Sequence, residues 1–350
     1  MDKIVTGTPA YAEQKGEWDY NNRLHNLAMT LPFHCNIACR KCANEGLRNP
    51  DLVDRPEQPL LSFDEINDVV KEFSESGGKT INIIGEGEPF HPAELPRLIH
   101  TIEQAAKNNL RTIVFTNGTL LTEELINFCK DNLVTIMFSV DSLKKDLYKY
   151  LSGKSCDGNY NRLMQNIQKT CEIFKDTQEV FEDVVMPTRR KIAMRVGMNT
   201  VISQHNWGEL DDIKKFRESE MIHIYGAPFS KGSLKGSEDE FVGEPENYKK
   251  IVSRTQELSD TGGCCSYSRE LRRCTFMNNG IIINNRGDYG VCNYNTGVPE
   301  FGNWRDGGRM KDIEKRIHKK VDRFFADQGD FYCITRHDKS DKFIGTKFDD

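Results

Sequence analysis

The sequence has no apolar run of the roughly 20 residues that a bilayer-spanning helix needs. Its first stretch, Met1 to Gly16, holds no basic segment followed by an apolar one, so no secretory signal is read there. It also lacks an excess of basic charge: 48 Lys and Arg face 53 Asp and Glu, a net charge of −5. Nucleic acid and anionic membranes are therefore not expected partners, and Arg189-Arg190-Lys191 and Lys319-Lys320 read as solvated surface. A cytoplasmic location is the default expectation. Cysteine, by contrast, is plentiful, with eleven in 350 residues. Without an export signal these are read as thiols rather than disulfides, some of them metal ligands.

Three of them lie together in His34-Cys35-Asn36-Ile37-Ala38-Cys39-Arg40-Lys41-Cys42, directly after the apolar run Leu27 to Phe33. Thiolates at CxxxCxxC spacing on one loop can converge on a single zinc or iron–sulfur centre. Such centres usually want four protein ligands, and this loop offers three. The fourth corner is then either filled from elsewhere in the chain or left open to a substrate.

From residue 27 onward, strand-like runs alternate with amphipathic helix patterns. The strand candidates are 27–33, 80–84, 112–115, 134–140, 192–202 and 222–225. The helix candidates are 62–77, opened by a Ser62/Glu65 capping box, then 93–108, 122–131, 159–174 and 207–218. Such alternation predicts parallel β/α units, and six strands make an open partial (β/α)6 TIM barrel with its chemistry at the C-terminal strand ends. The segments at those ends are the cysteine loop, Gly85-Glu86-Gly87-Glu88-Pro89, Thr116-Asn117-Gly118-Thr119, and Ser139-Val140-Asp141-Ser142 followed by Tyr148-x-x-Leu151-Ser152-Gly153. Taken singly, they read as ordinary turns or, for Asp141 and Asn206, helix caps.

In this order the motifs resemble the radical S-adenosylmethionine (radical SAM) family, over roughly residues 27–230. The resemblance implies that Cys35, Cys39 and Cys42 hold a [4Fe–4S] cluster whose open iron binds SAM. It implies that Gly85, Glu86, Gly87, Glu88 and Pro89, the counterpart of a GGEP motif interrupted by Glu86, hold the SAM amino group. Asn117 and Ser139 join the SAM contacts. Arg195, on an otherwise apolar strand, is placed with them, an outward-facing arginine being the alternative. Where the family often has an aromatic residue before the third cysteine, this chain has Lys41. His223, Tyr225 and Tyr289 are pocket candidates by position.

Composition divides the chain into a polar lead-in with a short helix (1–26), the core (27–230), a charged Gly/Ser linker (231–262) with a helix near 248–258, a second cysteine region (263–340) and a charged tail (341–350). In the second cysteine region, Cys274, twelve residues, Gly287, four residues and Cys292 bracket a hairpin pattern and resemble the signature of SPASM and twitch domains. That resemblance implies a small C-terminal β-hairpin domain and an auxiliary [4Fe–4S] cluster on Cys274, Cys292 and Cys333. Cys265 is the expected fourth ligand, with Cys264, His337 or an open iron as alternatives. Cys129, Cys156 and Cys171 read as structural thiols.

The expected function is reductive cleavage of SAM, hydrogen abstraction from a substrate carbon, and net oxidation of a small molecule with help from the auxiliary cluster. An external donor such as flavodoxin or ferredoxin would supply electrons. A peptide substrate is the competing expectation, weighed against by the lack of a leader-binding extension before the cysteine loop. A non-catalytic iron–sulfur or zinc protein is the reading from another class.

Overall fold

The lead-in forms β1 (Asp2–Val5) and the short helix α1 (Pro9–Gln14). The alternating pattern follows as β2 (Asn26–Thr30), α2 (Phe63–Glu75), β3 (Thr80–Ile83), α3 (Leu95–Lys107), β4 (Arg111–Thr116), α4 (Glu123–Asp131), β5 (Val134–Ser139), α5 (Lys145–Ser152) and α6 (Asn159–Phe174). Next come β6 (Glu179–Glu182), β7 (Arg190–Met194), β8 (Val196–Val201), α7 (Leu210–Lys215), β9 (Ile222–Gly226), α8 (Glu238–Val242) and α9 (Pro245–Leu258). The chain closes with β10 (Tyr267–Ser268), β11 (Arg273–Cys274), β12 (Gly280–Asn284), β13 (Tyr289–Gly290) and α10 (Met310–Gln328). This computed structural model describes residues 1–17, 22–31, 34–42, 59–85, 87–153, 158–228, 233, 238–243, 245–260, 267–268, 273–274, 279–290 and 301–328. Among them no helix is long and apolar enough to cross a membrane.

The main sheet has the order β13-β12-β2-β3-β4-β5-β8-β9, and all its pairs are parallel except β12–β13. The six expected strands stand in sequence order, as β2, β3, β4, β5, β8 and β9, in an open sheet. Alternation along each strand sorts the side chains. Ile81, Ile83, Val114, Ile136, Phe138, Met198 and Tyr225 join the large core shared with the helices. Ile113, Met137, Ile222 and Ile224 face inward and form a second cluster with Val5.

Helices α2, α3, α4 and α6 form where their caps and apolar spacing predict, the expected helix 207–218 is a 3-10 turn at Trp207–Glu209 followed by the shorter α7, and α5 and α10 were not foreseen. In α2 the Ser62 hydroxyl accepts from Glu65 N at 3.1 Å and the Glu65 carboxylate accepts from Ser62 N at 2.7 Å. Its Ile66, Val69, Val70 and Phe73 are buried.

Three expectations are corrected. The run 192–202 is two strands in different sheets. β7 pairs with β1 and β6 in a three-stranded sheet, the chain turns at Arg195, and β8 enters the main sheet. The stretch expected as a linker with a helix near 248–258 holds that helix as α9 but is more than a linker: α8 precedes it, and the two bury Phe241, Ile251 and Leu258. The C-terminal hairpin is no separate sheet. β12 lies parallel beside β2, with Ile281 opposite Leu27 and Ile283 opposite Met29. Apolar side chains facing both ways let it continue the core. Gly287 takes φ +90 in the turn, and a Cβ there would meet Asn303 Oδ1 at 2.9 Å, so the signature's glycine is required by the turn.

Arg305 fastens this hairpin to the barrel. It pairs with both Glu65 oxygens and donates to the carbonyls of Pro59, Leu60 and Arg286. α10 lays Met310, Ile313, Ile317 and Val321 against the core.

Candidate active site

At the C-terminal strand ends, Cys35, Cys39 and Cys42 line one cavity of about 240 Å³. Gly85, Gly87, Glu88, Thr116, Asn117, Ser139, Asp141, Tyr148, Asn199 and Val201 are also in its wall. The segments singled out at four strand ends, together with the end of β8, therefore surround a single space.

The cysteine loop is held by its neighbours. Asn36 donates to Thr119 Oγ1 at 2.8 Å and accepts from Asn117 Nδ2 at 2.9 Å. The same Asn117 nitrogen lies 4.0 Å from Cys35 Sγ. Arg40 N donates to Leu151 O at 2.9 Å, and Glu88 N donates to His34 O at 2.7 Å. Gly153 takes φ +82, and a Cβ on it would run into Ala38 O. The Tyr-x-x-Leu-Ser-Gly segment thus ends in glycine because the cysteine loop presses against it. Lys41 pairs with Asp141 across the cavity wall.

Glu88 is a strut beneath this arrangement. It is 2% exposed; one carboxylate oxygen accepts from Thr116 Oγ1 at 2.6 Å and Phe90 N at 3.1 Å, the other from Asn117 N at 2.7 Å. Burial pushes its pKa up to about 7 against the pull of those donors.

The donor set suits an iron–sulfur cluster. Burial pushes the Cys35 thiol up to about 12 and Cys39 well above its ordinary value. Thiols desolvated in this way are held as thiolates by neighbouring positive charge, which ligated iron would supply. Among the described residues no three His, Cys, Asp or Glu side chains stand close enough to hold a single metal ion. Three thiols around one cavity wall are the donor type that iron–sulfur clusters take.

Residues 29–190 match the Radical SAM superfamily. The chain carries a radical SAM domain. Curated relatives include a probable GTP 3′,8-cyclase of Methanococcus aeolicus, 30% identical over 154 residues, which are 44% of this chain and 48% of the relative. The GTP 3′,8-cyclase of Clostridium botulinum is 27% identical over 156 residues, 44% of this chain and 46% of that protein. The chain thus spans about half the length of the curated relatives it matches. Among solved structures, Streptococcus suis SuiB bound to S-adenosylmethionine shares the fold with a TM-score of 0.55 at 14% identity, over 87% of this chain and 68% of that one. Native anSMEcpe with bound AdoMet gives 0.54 at 15% identity, over 84% and 82%. The superfamily uses a [4Fe–4S] cluster and SAM, and the radical SAM domain here is a partial-barrel α/β fold.

Within this domain the expected SAM contacts separate. Gly85, Gly87 and Ser139 line the cavity. Pro89 is buried in the turn behind, and Glu86 lies outside the described residues. Asn117 and Glu88 line the wall too, but their side chains are committed to the cysteine loop and to Thr116, Asn117 and Phe90.

Arg195 is corrected outright. Its guanidinium is buried and donates to the carbonyls of Val134, Cys129 and Lys130 at 2.8–3.1 Å, at the end of α4 and the start of β5. It is at the opposite end of the strands from the cavity, where the last carbonyls of a helix attract a cation. His223, Tyr225 and Tyr289 are buried away from the cavity. Tyr225 and Tyr289 belong to the core packed against the helices.

Asp141 caps no helix, and Asn206, which stands at the N-cap of the 3-10 turn Trp207–Glu209 as expected, gives that turn no side-chain hydrogen bond. Asp141 takes Lys41 and Val201 N, and Asn206 bridges Asp141 O and Val201 O. Cys129 and Cys171 are buried thiols pushed up to about 12 by desolvation, as expected of structural cysteines. Cys156, Cys264, Cys265, Cys292, Cys333 and His337 lie outside the described residues. Cys274 is placed by its backbone, opposite Tyr267.

Asn199 was missing from the sequence-based site. Its Oδ1 is buried in the cavity wall with no hydrogen-bond partner among the described residues, and a buried acceptor of this kind calls for a donor. A polar residue at the C-terminal end of a barrel strand was the available signal.

Proposed function

We propose that this chain is a radical SAM enzyme that holds its core [4Fe–4S] cluster on Cys35, Cys39 and Cys42 and binds SAM in the cavity beside them. The observation that carries the reading is the convergence of three thiols and the ends of the parallel strands on one cavity inside a radical SAM domain. When bound, the cluster and SAM supply one-electron cleavage to a 5′-deoxyadenosyl radical, which takes hydrogen from a substrate carbon. The chain supplies position. Gly85 and Gly87 bring main-chain groups to the SAM amino end, while Ser139 and Asn199 offer a hydroxyl and an amide oxygen from β5 and β8. Glu88 and Asn117 keep the cysteine loop in place from behind.

The reaction proposed is net oxidation of a small molecule. An auxiliary [4Fe–4S] cluster on Cys274, Cys292 and Cys333, with Cys265 as fourth ligand, would accept the substrate's electron, and a flavodoxin- or ferredoxin-like protein would donate to the core. The small-molecule reading is supported by relatives named for GTP. A peptide substrate is the second reading, favoured by neighbours of the same fold captured with peptides: SuiB with precursor peptide SuiA and anSMEcpe with the Cp18Cys peptide. A cytoplasmic location belongs to the same proposal.

The test uses anaerobically reconstituted full chain. Iron and sulfide are counted, and 5′-deoxyadenosine is sought after dithionite and SAM are added. About eight iron per chain with deoxyadenosine formed supports both clusters. About four iron with deoxyadenosine keeps the core and removes the auxiliary cluster. Zinc in place of iron, or no deoxyadenosine, rejects the enzymatic reading.

A further inference from the structure

Lys41 stands between Cys39 and Cys42 in sequence, and its side chain is only 13% exposed. Its partner Asp141 is 12% exposed. The Asp141 oxygen that takes the ammonium also accepts Val201 N at 2.9 Å, and the Asp141 carbonyl accepts Asn206 Nδ2 at 2.8 Å. Through this one pair the cysteine loop is fastened to the ends of β5 and β8. Both side chains line the cavity that the three thiols share. Charges held this far from water are weakly screened, so each is felt by whatever occupies that cavity.

We propose that the Lys41–Asp141 pair is a positioning device that also sets the potential at which the core cluster takes up its electron. The proposal rests on the reading that Cys35, Cys39 and Cys42 ligate a [4Fe–4S] cluster. One-electron reduction makes the cluster more negative. A neighbouring ammonium favours that reduced state, and a neighbouring carboxylate opposes it. While the two are paired, their fields largely offset. Removing either partner leaves the other unopposed, so the two losses act in opposite directions. A purely mechanical latch would respond in the same direction to the loss of either partner.

The experiment follows the one-electron [4Fe–4S]2+/1+ couple by electron paramagnetic resonance during dithionite titration. It uses reconstituted full chain without SAM, after iron and sulfide have been counted. K41M keeps most of the apolar stem and removes the charge; its midpoint is expected below wild type. D141N keeps an oxygen for Val201 N and removes the opposing charge; its midpoint is expected above wild type. K41R and the double variant K41M/D141N are expected near wild type, and K41Q replaces K41M if that variant takes up no iron. Shifts of the same sign, or a D141N midpoint equal to wild type at full iron content, overturn the proposal. A wild-type chain that takes up no [4Fe–4S] cluster overturns the reading beneath it instead, and the iron count tells the two failures apart.

Discussion

At the N-terminal ends of the sheet, the Thr80 hydroxyl donates to Gly7 O and the Thr135 hydroxyl to Thr6 O, while Val5 fills the space between Ile113, Met137, Ile222 and Ile224. At the C-terminal ends of the same strands, Asn199 Oδ1 has no partner among the described residues, three cysteines face a cavity, and glycines leave main chain within reach of it. The strands between are alike in pairing and apolar content. One end is finished by the chain itself, through β1 and the turn after it. The other opens on the cavity, with its support built behind the wall in Glu88, Asn117, Asn206 and Gly153. A polar side chain therefore means different things at the two ends. Arg195 serves stability because it meets carbonyls of its own chain, whereas the amide oxygen of Asn199, which meets no donor among the described residues, is the one we propose for a ligand.

Four predictions would break or sharpen that contrast. The largest effect is expected from replacing Cys35, Cys39 or Cys42 by Ala. Each should abolish deoxyadenosine formation and lower iron by about four per chain, measured by chromatography and iron assay; unchanged iron would remove the ligand assignment. Next comes Arg195→Met, at the closed end. It strands carbonyls at a helix terminus and should lower unfolding free energy by about 4 kcal/mol in urea titration, with iron content and SAM affinity of the folded protein unchanged. A selective loss of SAM binding would return Arg195 to the site.

The third concerns pH. The folded pKa of Glu88, about 7, lies above the unfolded value of about 4.3. Between those values the folded chain keeps a proton that the unfolded chain has released. Its contribution is thus full below about pH 4 and lost as pH rises through about 7, up to about 3 kcal/mol. Denaturant midpoints of the metal-free chain should fall across that window, and Glu88→Gln should flatten the fall. A wild-type midpoint rising there contradicts the assignment. The smallest effect is Thr80→Val, which removes one hydroxyl from the closed end and should cost about 1 kcal/mol, leaving iron uptake and deoxyadenosine formation as they were.

Much of the open end was legible in the sequence because its residues are local: CxxxCxxC, the Gly-Glu-Gly-Glu-Pro turn and the Ser-x-Asp segment each sit within a few positions. The six-strand order was legible for the same reason, since each β/α unit has its own period and caps. What stayed hidden depends on distant partners. Arg195 looked like a residue inside one strand because apolar character runs on from Ile192 to Ile202, and nothing local marks the passage from one sheet to another. β1 is four residues long and half polar, below what periodicity resolves. The helix near 248–258 was visible, but the few apolar positions around α8 and α9 hid their packing on the core, so composition suggested a linker. The strand character of 280–284 was visible, but its place beside β2 was not, because pairing across some 250 residues leaves no mark on either segment.

That last pairing bears on how the protein is made. β2 delivers the chain into the cysteine loop, and its two neighbours in the sheet are β3 and β12. During synthesis the first neighbour emerges soon after β2, whereas the second is separated from it by most of the polypeptide. The strand beneath the cysteines is therefore an open edge through most of translation. The cysteine loop reaches its finished surroundings only after residue 284 has left the ribosome.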